Sequence, residues 1–245
     1  MIKRSTLRSQ IATALRDEIL AGRLATGRDF TVKEIAEQYG VSATPVREAL
    51  VDLAAQGLLD VEQHRGFRVH EFTLADYRAM CEAGQLVVDG VFQRIERDPE
   101  HAADPARPPG SAGTSAARRA LGGLGPEALA SVRRRADAAE RAARAGDLDV
   151  LIAYDLRFWR ELSGLLGNPY ICDFLDRLRV QCWVFAVPVL RRHASLRGRL
   201  WSGHNALLDA VAAGDAPAAR EVIATYNQHA LAQVGAAETA EEKDI

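Results

Sequence analysis

Apolar side chains return at every fourth position from Leu7 through Ile11 and Leu15 to Ile19, lining one face of a helix, and Gly22 offers it a C-terminal cap. Thr31-Val32-Lys33-Glu34 has the form of a capping box, in which hydroxyl and carboxylate each satisfy the other residue's orphan amide. It predicts a short helix carrying Ile35, Ala36 and Tyr39 and ending at Gly40. A third helix follows at once. Ser42 is placed to cap it, Pro45 sits in the first turn where a missing N–H costs nothing, and Val46, Ala49, Leu50 and Leu53 form its buried face up to Gly57. Two brief apolar runs, Leu58 to Val61 and Phe67 to Val69, flank His64-Arg65-Gly66 and read as a hairpin with a glycine near its tip.

Beyond Thr73 the period is helical, with no further strand signal. Helices are predicted over 76–97, 127–145, 149–166, 169–192, 196–213 and 216–235, broken at Gly146-Asp147, Gly167-Asn168-Pro169 and Gly214-Asp215. Between Ala102 and Gly125, 17 of 24 residues are Ala, Gly, Pro or Ser, so a flexible or disordered insertion is expected at about 100–125. The acidic tail from Ala236 is expected to fray. The expected fold is therefore mainly α. Residues 1–72 form a winged helix-turn-helix with a small β-hairpin wing, and residues 73–245 form an all-helical bundle.

Composition narrows the function classes. Apolar residues at 48% and charged residues at 26% suit a soluble globular chain of 245 residues, large enough for two domains. No apolar run reaches the roughly 18 residues of a membrane span, and Met1 to Gln10 lacks the apolar stretch of a secretory signal. Cys81, Cys172 and Cys182 are an odd set without a CxxC pair, so neither a disulfide framework nor a zinc finger is expected, and a cytoplasmic protein is. The net charge of -2 excludes a protein that coats nucleic acid by bulk charge. Residues 1–70 hold ten Lys or Arg against nine Asp or Glu, so any DNA contact must come from the placement of a few basic side chains.

That placement is present. The second helix of a helix-turn-helix leads into a major groove with its N-terminal end, where Thr44 and Arg47 lie one turn apart and opposite the buried face. Arg47 can fork onto the O6 and N7 of guanine, while the hydroxyls of Ser42 and Thr44 and the helix amides suit phosphate oxygens. Lys33 can reach the backbone, and His64 and Arg65 at the hairpin tip can enter the flanking minor groove. For catalysis there is no nucleophile with a base at useful spacing and no glycine-rich phosphate loop, so no enzyme is expected. Arg133-Arg134-Arg135 and Arg191-Arg192 read as solvated helix faces. Trp183, Phe185 and Leu190 read as core or dimer contacts, Asn168 as a turn residue before Pro169, and the cysteines as packing residues.

Residues 5–70 resemble the winged helix-turn-helix of the GntR transcription regulators. The likeness rests on Ile19-Leu20-Ala21-Gly22-Arg23-Leu24, on Ile35-Ala36 before Gly40-Val41-Ser42, on Thr44-Pro45-Val46-Arg47-Glu48-Ala49-Leu50, and on Gly57-Leu58-Leu59 and Gly66-Phe67-Arg68-Val69. The resemblance implies a homodimer on a double-stranded DNA operator, most often as a repressor, with contacts at Lys33, Ser42, Thr44, Arg47, Arg65 and Gly66. Ala43 stands where the family usually has an arginine, which implies a shifted or relaxed operator preference. Residues 73–235 resemble the all-helical FCD domain of the family's FadR branch, through Asp155 to Trp159, Gly167-Asn168-Pro169, His204, Leu208, Gly214-Asp215 and Ala218-Ala219-Arg220, although Gly84 and Val88 replace an Arg and a Glu common there.

In many members of that branch one Asp and three His hold a divalent metal that an acidic effector completes. Here Asp155 and His204 keep two of those positions, while Trp159 and Tyr226 occupy the others, and neither is a useful ligand for Zn or Ni. His229 lies three residues from Tyr226 and is the one candidate to replace a ligand. The expectation is a degenerate site without metal or other cofactor, in which Asp155, Trp159, His204 and Tyr226 line a pocket for a small-molecule effector with an apolar or aromatic part. The alternative is a constitutive DNA-binding dimer in which the quartet is a satisfied polar cluster without ligand.

Overall fold

The computed structural model describes residues 6–62, 66–97, 126–165 and 168–241. Its elements are α1 (Leu7–Leu20), β1 (Asp29–Phe30), α2 (Val32–Tyr39), α3 (Ala43–Ala55), β2 (Leu59–Glu62), β3 (Gly66–Val69), α4 (Leu74–Arg97), α5 (Pro126–Ala145), α6 (Leu148–Gly164), α7 (Pro169–Leu190), α8 (His204–Ala212) and α9 (Ala216–Glu241). They divide into two compact units, Met1–Leu74 with Gln181–Arg191, and Ala75–Val180 with Arg192–Ile245. The insertion expected at 100–125 lies outside the described residues.

In the first unit Ile11, Leu15 and Ile19 are buried, as their spacing predicts, while Leu7 in the first turn is exposed. α1 packs on α3, whose Val46, Ala49, Leu50 and Leu53 are sealed from solvent. Each fully buried Leu or Val contributes about 1.5–3 kcal/mol. Gln181, from the later part of α7, donates to the Gln56 carbonyl just past α3 at 2.8 Å and occupies the space left by the missing side chain of Gly57.

The sheet is larger than the predicted hairpin. β3 lies in the middle, paired antiparallel with β2 (Leu59 opposite Val69, Val61 opposite Phe67) and with β1 (Asp29 opposite Arg68, Phe30 opposite Phe67). Two residues carry no readable alternation, so β1 escapes any period-based reading. What secures it is tertiary: Phe30 is buried and stacks with Phe67 at 6.4 Å, and Arg68 on the opposite face reaches Asp29 at 2.7 Å and Glu62 at 3.3 Å.

The second unit is helical, and among its described residues there is no strand. α5 packs along α6 and α8, and α8 along α9. Ala136, Ala139 and Ala143 are buried completely, so α5 meets its neighbours through small side chains. The core gathers Phe92, Val132, Phe158, Leu162, Leu207, Leu208 and Ile223. Most boundaries fall within two residues of the sequence reading, and two differ by more. Residues 196–203 are irregular rather than the start of a helix, because Gly198 takes a left-handed conformation and Gly203 becomes the N-cap of α8. α9 runs on to Glu241 instead of ending near residue 235. No described helix is long and apolar enough to cross a membrane.

Candidate functional site

The turn between α2 and α3 is built by local chemistry. Glu34 N–H donates to the Thr31 hydroxyl at 3.2 Å, and the Glu34 carboxylate accepts from the Thr31 N–H at 2.6 Å, closing the capping box. The bonds that the carboxylate accepts from the Thr31 N–H and, second, from the Thr31 hydroxyl at 3.0 Å hold the Glu34 carboxyl below its ordinary pKa. Gly40, at φ +63, ends α2 in the left-handed region. Tyr39 donates its hydroxyl to Glu18 of α1 at 3.0 Å, and burial followed by that bond pushes its pKa up. Ser42 stands at the N-cap of α3 with extended backbone, but its side chain makes no capping bond. Ser42 thus holds the cap position expected from sequence without making the expected bond.

On the exposed side of this turn Val32, Lys33, Ala36, Glu37, Gly40, Val41, Ala43 and Arg47 surround one shallow concavity. Thr44 and Arg47 are exposed, opposite buried Val46 and Leu50. Arg47 makes no ion pair or hydrogen bond among the described residues, whereas Lys33 lies 3.8 Å from Glu37 while 85% exposed. Arg8 and Asp52 pair through both guanidinium and carboxylate ends, taking one exposed cation out of play. Gly66 opens β3 at φ +109, and a Cβ there would stand 2.4 Å from the Phe30 carbonyl oxygen, so only glycine fits. His64 and Arg65 lie outside the described residues.

The second cluster lies wholly in the helical unit. Asp155 on α6 and His204 at the start of α8 are each only 1% exposed. The start of α8 is positioned by α5: Glu140 accepts the Asn205 N–H at 2.8 Å, Asp137 accepts from the Asn205 amide at 3.0 Å, and Arg133 bonds both Asn205 and Asp209. Arg135 pairs with Glu161 at 2.9 Å. Two members of the expected solvated run Arg133-Arg134-Arg135 are thus tied into the bundle, because acidic residues on the facing helices meet them.

Asp155 Oδ1 accepts from Trp159 Nε1 at 3.0 Å and from His204 Nε2 at 3.0 Å. A carboxylate can only accept, so the proton sits on Nε2, and the buried Nδ1 has no hydrogen-bond partner among the described residues. Arg179 of α7, absent from the expected quartet, lies 3.7 Å from Asp155 Oδ2 and donates to the Tyr226 hydroxyl at 2.8 Å. Its guanidinium sits 3.9 Å above the Trp159 ring and 4.9 Å from that of Tyr226. Trp201 closes the group, 4.6 Å from the His204 ring and 4.9 Å from that of Tyr226. It folds back because Gly203 lacks a side chain: a Cβ there would be 2.6 Å from the indole.

All four quartet residues thus come together, but as a cage around an internal cation. This donor set does not fit a divalent metal. His204 Nε2 and Asp155 Oδ1 are spent on each other, Trp159 and Tyr226 offer no ligand atom of use, and Arg179 faces the remaining carboxylate oxygen. His229 is engaged elsewhere, with Nε2 donating to the Arg199 carbonyl at 2.8 Å. Among the described residues no group of three or more His, Cys, Asp or Glu could hold a metal. Cys172 bonds the Ser163 carbonyl through Sγ at 2.9 Å, and burial raises its thiol pKa. Asn168 accepts from Tyr170 and Ile171 N–H groups and so opens α7.

Sequence reasoning missed Arg179 and Trp201. Arg179 belongs to Asp176-Arg177-Leu178-Arg179, which reads as a polar helix face, and Trp201 falls in a stretch expected to be helical.

Comparison with known proteins adds two family matches. Residues 7–69 match the bacterial regulatory proteins of the gntR family, and residues 113–229 match the FCD domain. The HTH-type transcriptional regulator McbR of Escherichia coli K12 is 26% identical over 237 residues, 94% of each chain. A protein of Paenarthrobacter nicotinovorans named "Probable D-xylose utilization operon transcriptional repressor" is 37% identical over 102 residues, 41% of this chain and 44% of that protein. Among solved structures, E. coli McbR/YncC shares the fold at a TM-score of 0.69 with 22% identity over 94% of this chain and 98% of that one. A GntR regulator from Rhodococcus sp. RHA1 does so at 0.64, again with 22% identity and the same coverage.

Proposed function

The chain belongs to the GntR family of bacterial regulatory proteins and carries an FCD domain, and from that premise we propose that it is a repressor that binds its operator as a homodimer and answers to a small molecule in the helical unit. It regulates transcription and is not an enzyme, in keeping with the relatives it matches. The observation that carries the proposal is Arg47. It stands exposed and without an ion pair among the described residues, one turn from Thr44, on the side of α3 opposite a sealed apolar face. Such a side chain forks onto a guanine edge, while Lys33, Ser42 and Thr44 take phosphates and β2 and β3 serve as the wing. Two copies reading half-sites about 34 Å apart would occupy one face of an operator in the cytoplasm.

The test is selection of inverted-repeat duplexes by the purified protein, followed by sedimentation of the complex. Two chains per duplex, with affinity lost in Arg47→Ala, are expected. A one-to-one complex, or unchanged affinity in the variant, refutes the proposal.

A second reading keeps the DNA-binding dimer and drops the effector. It is favoured by the cage itself, in which Arg179, Trp159 and His204 satisfy Asp155 without help from outside. A DNA affinity indifferent to every ligand that binds the helical unit would select it.

A further inference from the structure

Beside the cage, and separated from it by the Trp159 ring, the helical unit contains a second feature. This is a cavity of about 50 Å³ whose wall includes Val88, Phe92, Trp159, Leu175, Leu207 and Ile223. Its polar atoms are all engaged elsewhere. Trp159 Nε1 donates to Asp155, the Ser163 hydroxyl donates to the Arg160 carbonyl at 3.2 Å, and the Ser163 carbonyl accepts from Cys172. Among the described residues no charged side chain lines it.

Building on the effector reading above, we infer that the helical unit takes a small, uncharged, apolar molecule in this cavity, without a metal and without a charged anchor. The reasoning is one of desolvation. A carboxylate or ammonium carried into this wall would lose its water and find no partner, a cost of several kcal/mol that apolar contact does not repay. An apolar molecule loses nothing and gains the packing that a void forfeits. Apolar cavities of about 150 Å³ stay dry and take up benzene or xenon. One of about 50 Å³ accommodates xenon or a short alkyl group as it stands, and a ring once Trp159 yields. Trp159 is the shared wall of the two sites, since the same indole covers Arg179 and bonds Asp155. A ligand that presses on this ring therefore acts on the cage without touching a charge.

The experiment uses the full chain with xenon, ethylbenzene and indole as probes, followed by methyl NMR of Val88, Val91 and Ile223 and by thermal unfolding. Operator affinity is measured in parallel. Saturable methyl shifts are expected, with a rise in Tm of about 5–10 °C at a hundred times Kd. EDTA leaves both unchanged, and Val88→Phe and Val91→Phe, which fill the cavity from partly buried positions, each abolish them. Two variants are used so that one misfolded protein does not decide the matter, and each is checked by its wild-type circular dichroism.

Absence of any saturable shift with all three probes overturns the inference. So does a saturable response to zinc with a dicarboxylate that His204→Ala removes, and that outcome leaves the effector-responsive regulator standing. Binding of the probes with operator affinity unmoved supports the cavity and overturns the effector reading instead.

Discussion

Replacing Asp155 by asparagine keeps the shape of the side chain and removes its charge. The amide oxygen can still accept from Trp159 Nε1 and from His204 Nε2, so the two bonds at 3.0 Å survive in outline. What is lost is the counter-ion of Arg179, which is 17% exposed and 3.7 Å from the carboxylate. Deleting one partner of a buried pair costs about 3–5 kcal/mol, because the other is left as an uncompensated charge. Arg179 keeps the Tyr226 hydroxyl, its further contacts and some solvent, which places the expected loss at the lower bound, about 3 kcal/mol. At about 2–4 °C per kcal/mol for a protein of this size, the helical unit should melt about 6–12 °C lower in calorimetry. Had the hydrogen bonds alone mattered, the loss would be about 1 kcal/mol or less. The double variant Asp155→Asn with Arg179→Met should recover part of the loss, since no charge is then stranded. A Tm within about 2 °C of wild type for the single variant, or strictly additive losses in the double, would show that Arg179 is not the internal counter-ion.

Further outcomes are expected of the DNA-reading unit. Arg47→Ala should weaken operator binding by about 1–3 kcal/mol per half-site and relax preference at one base position. Lys33→Ala should instead lower affinity alike for all sequences and shrink the salt dependence, both read by fluorescence anisotropy. Gly66→Ala places a Cβ 2.4 Å from the Phe30 carbonyl oxygen and should cost about 1–3 kcal/mol in unfolding while abolishing tight DNA binding; an unchanged Tm refutes the steric argument. Thr31→Ala should cost about 1 kcal/mol by denaturant titration. Glu34 adds a pH signature. Its folded pKa lies below the ordinary 4.5, so its contribution is complete above that value and fades as the pH falls through the folded one, a slope that Glu34→Gln should remove from acid-unfolding curves.

The contrast between what was legible and what was not follows the range of the interactions. The capping box at Thr31 and Glu34, the stop at Gly40 and the buried stripe of α3 are fixed by residues within one or two helical turns, and all could be read from spacing. Ser42 shows that position and bonding are separate matters: it stands at the N-cap with extended backbone, as its place in the sequence predicts, but its side chain makes no capping bond. β1 was illegible because two residues carry no pattern, and its pairing depends on β3, nearly forty positions later. In the helical unit Asp155 and His204 were recognisable from resemblance alone. Arg179 was not, since a charged residue beside Asp176 and Arg177 looks solvated until the fold sets it against a carboxylate from another helix. Trp201 required a break in helical period that only Gly198 and Gly203 announce.

β1, two residues long, has a consequence for how the reading head is placed. Asp29 and Phe30 hand over directly to Thr31, so the middle of the wing and the capped start of α2 share a rivet with no slack. Side chains alternate across a strand, and a one-residue slip of β1 against β3 would turn Phe30 toward water and Asp29 into the core. The register of β1 on β3 therefore also sets where Thr31 stands, so the sheet of the wing and the first turn of the reading head are placed by one and the same pair of residues.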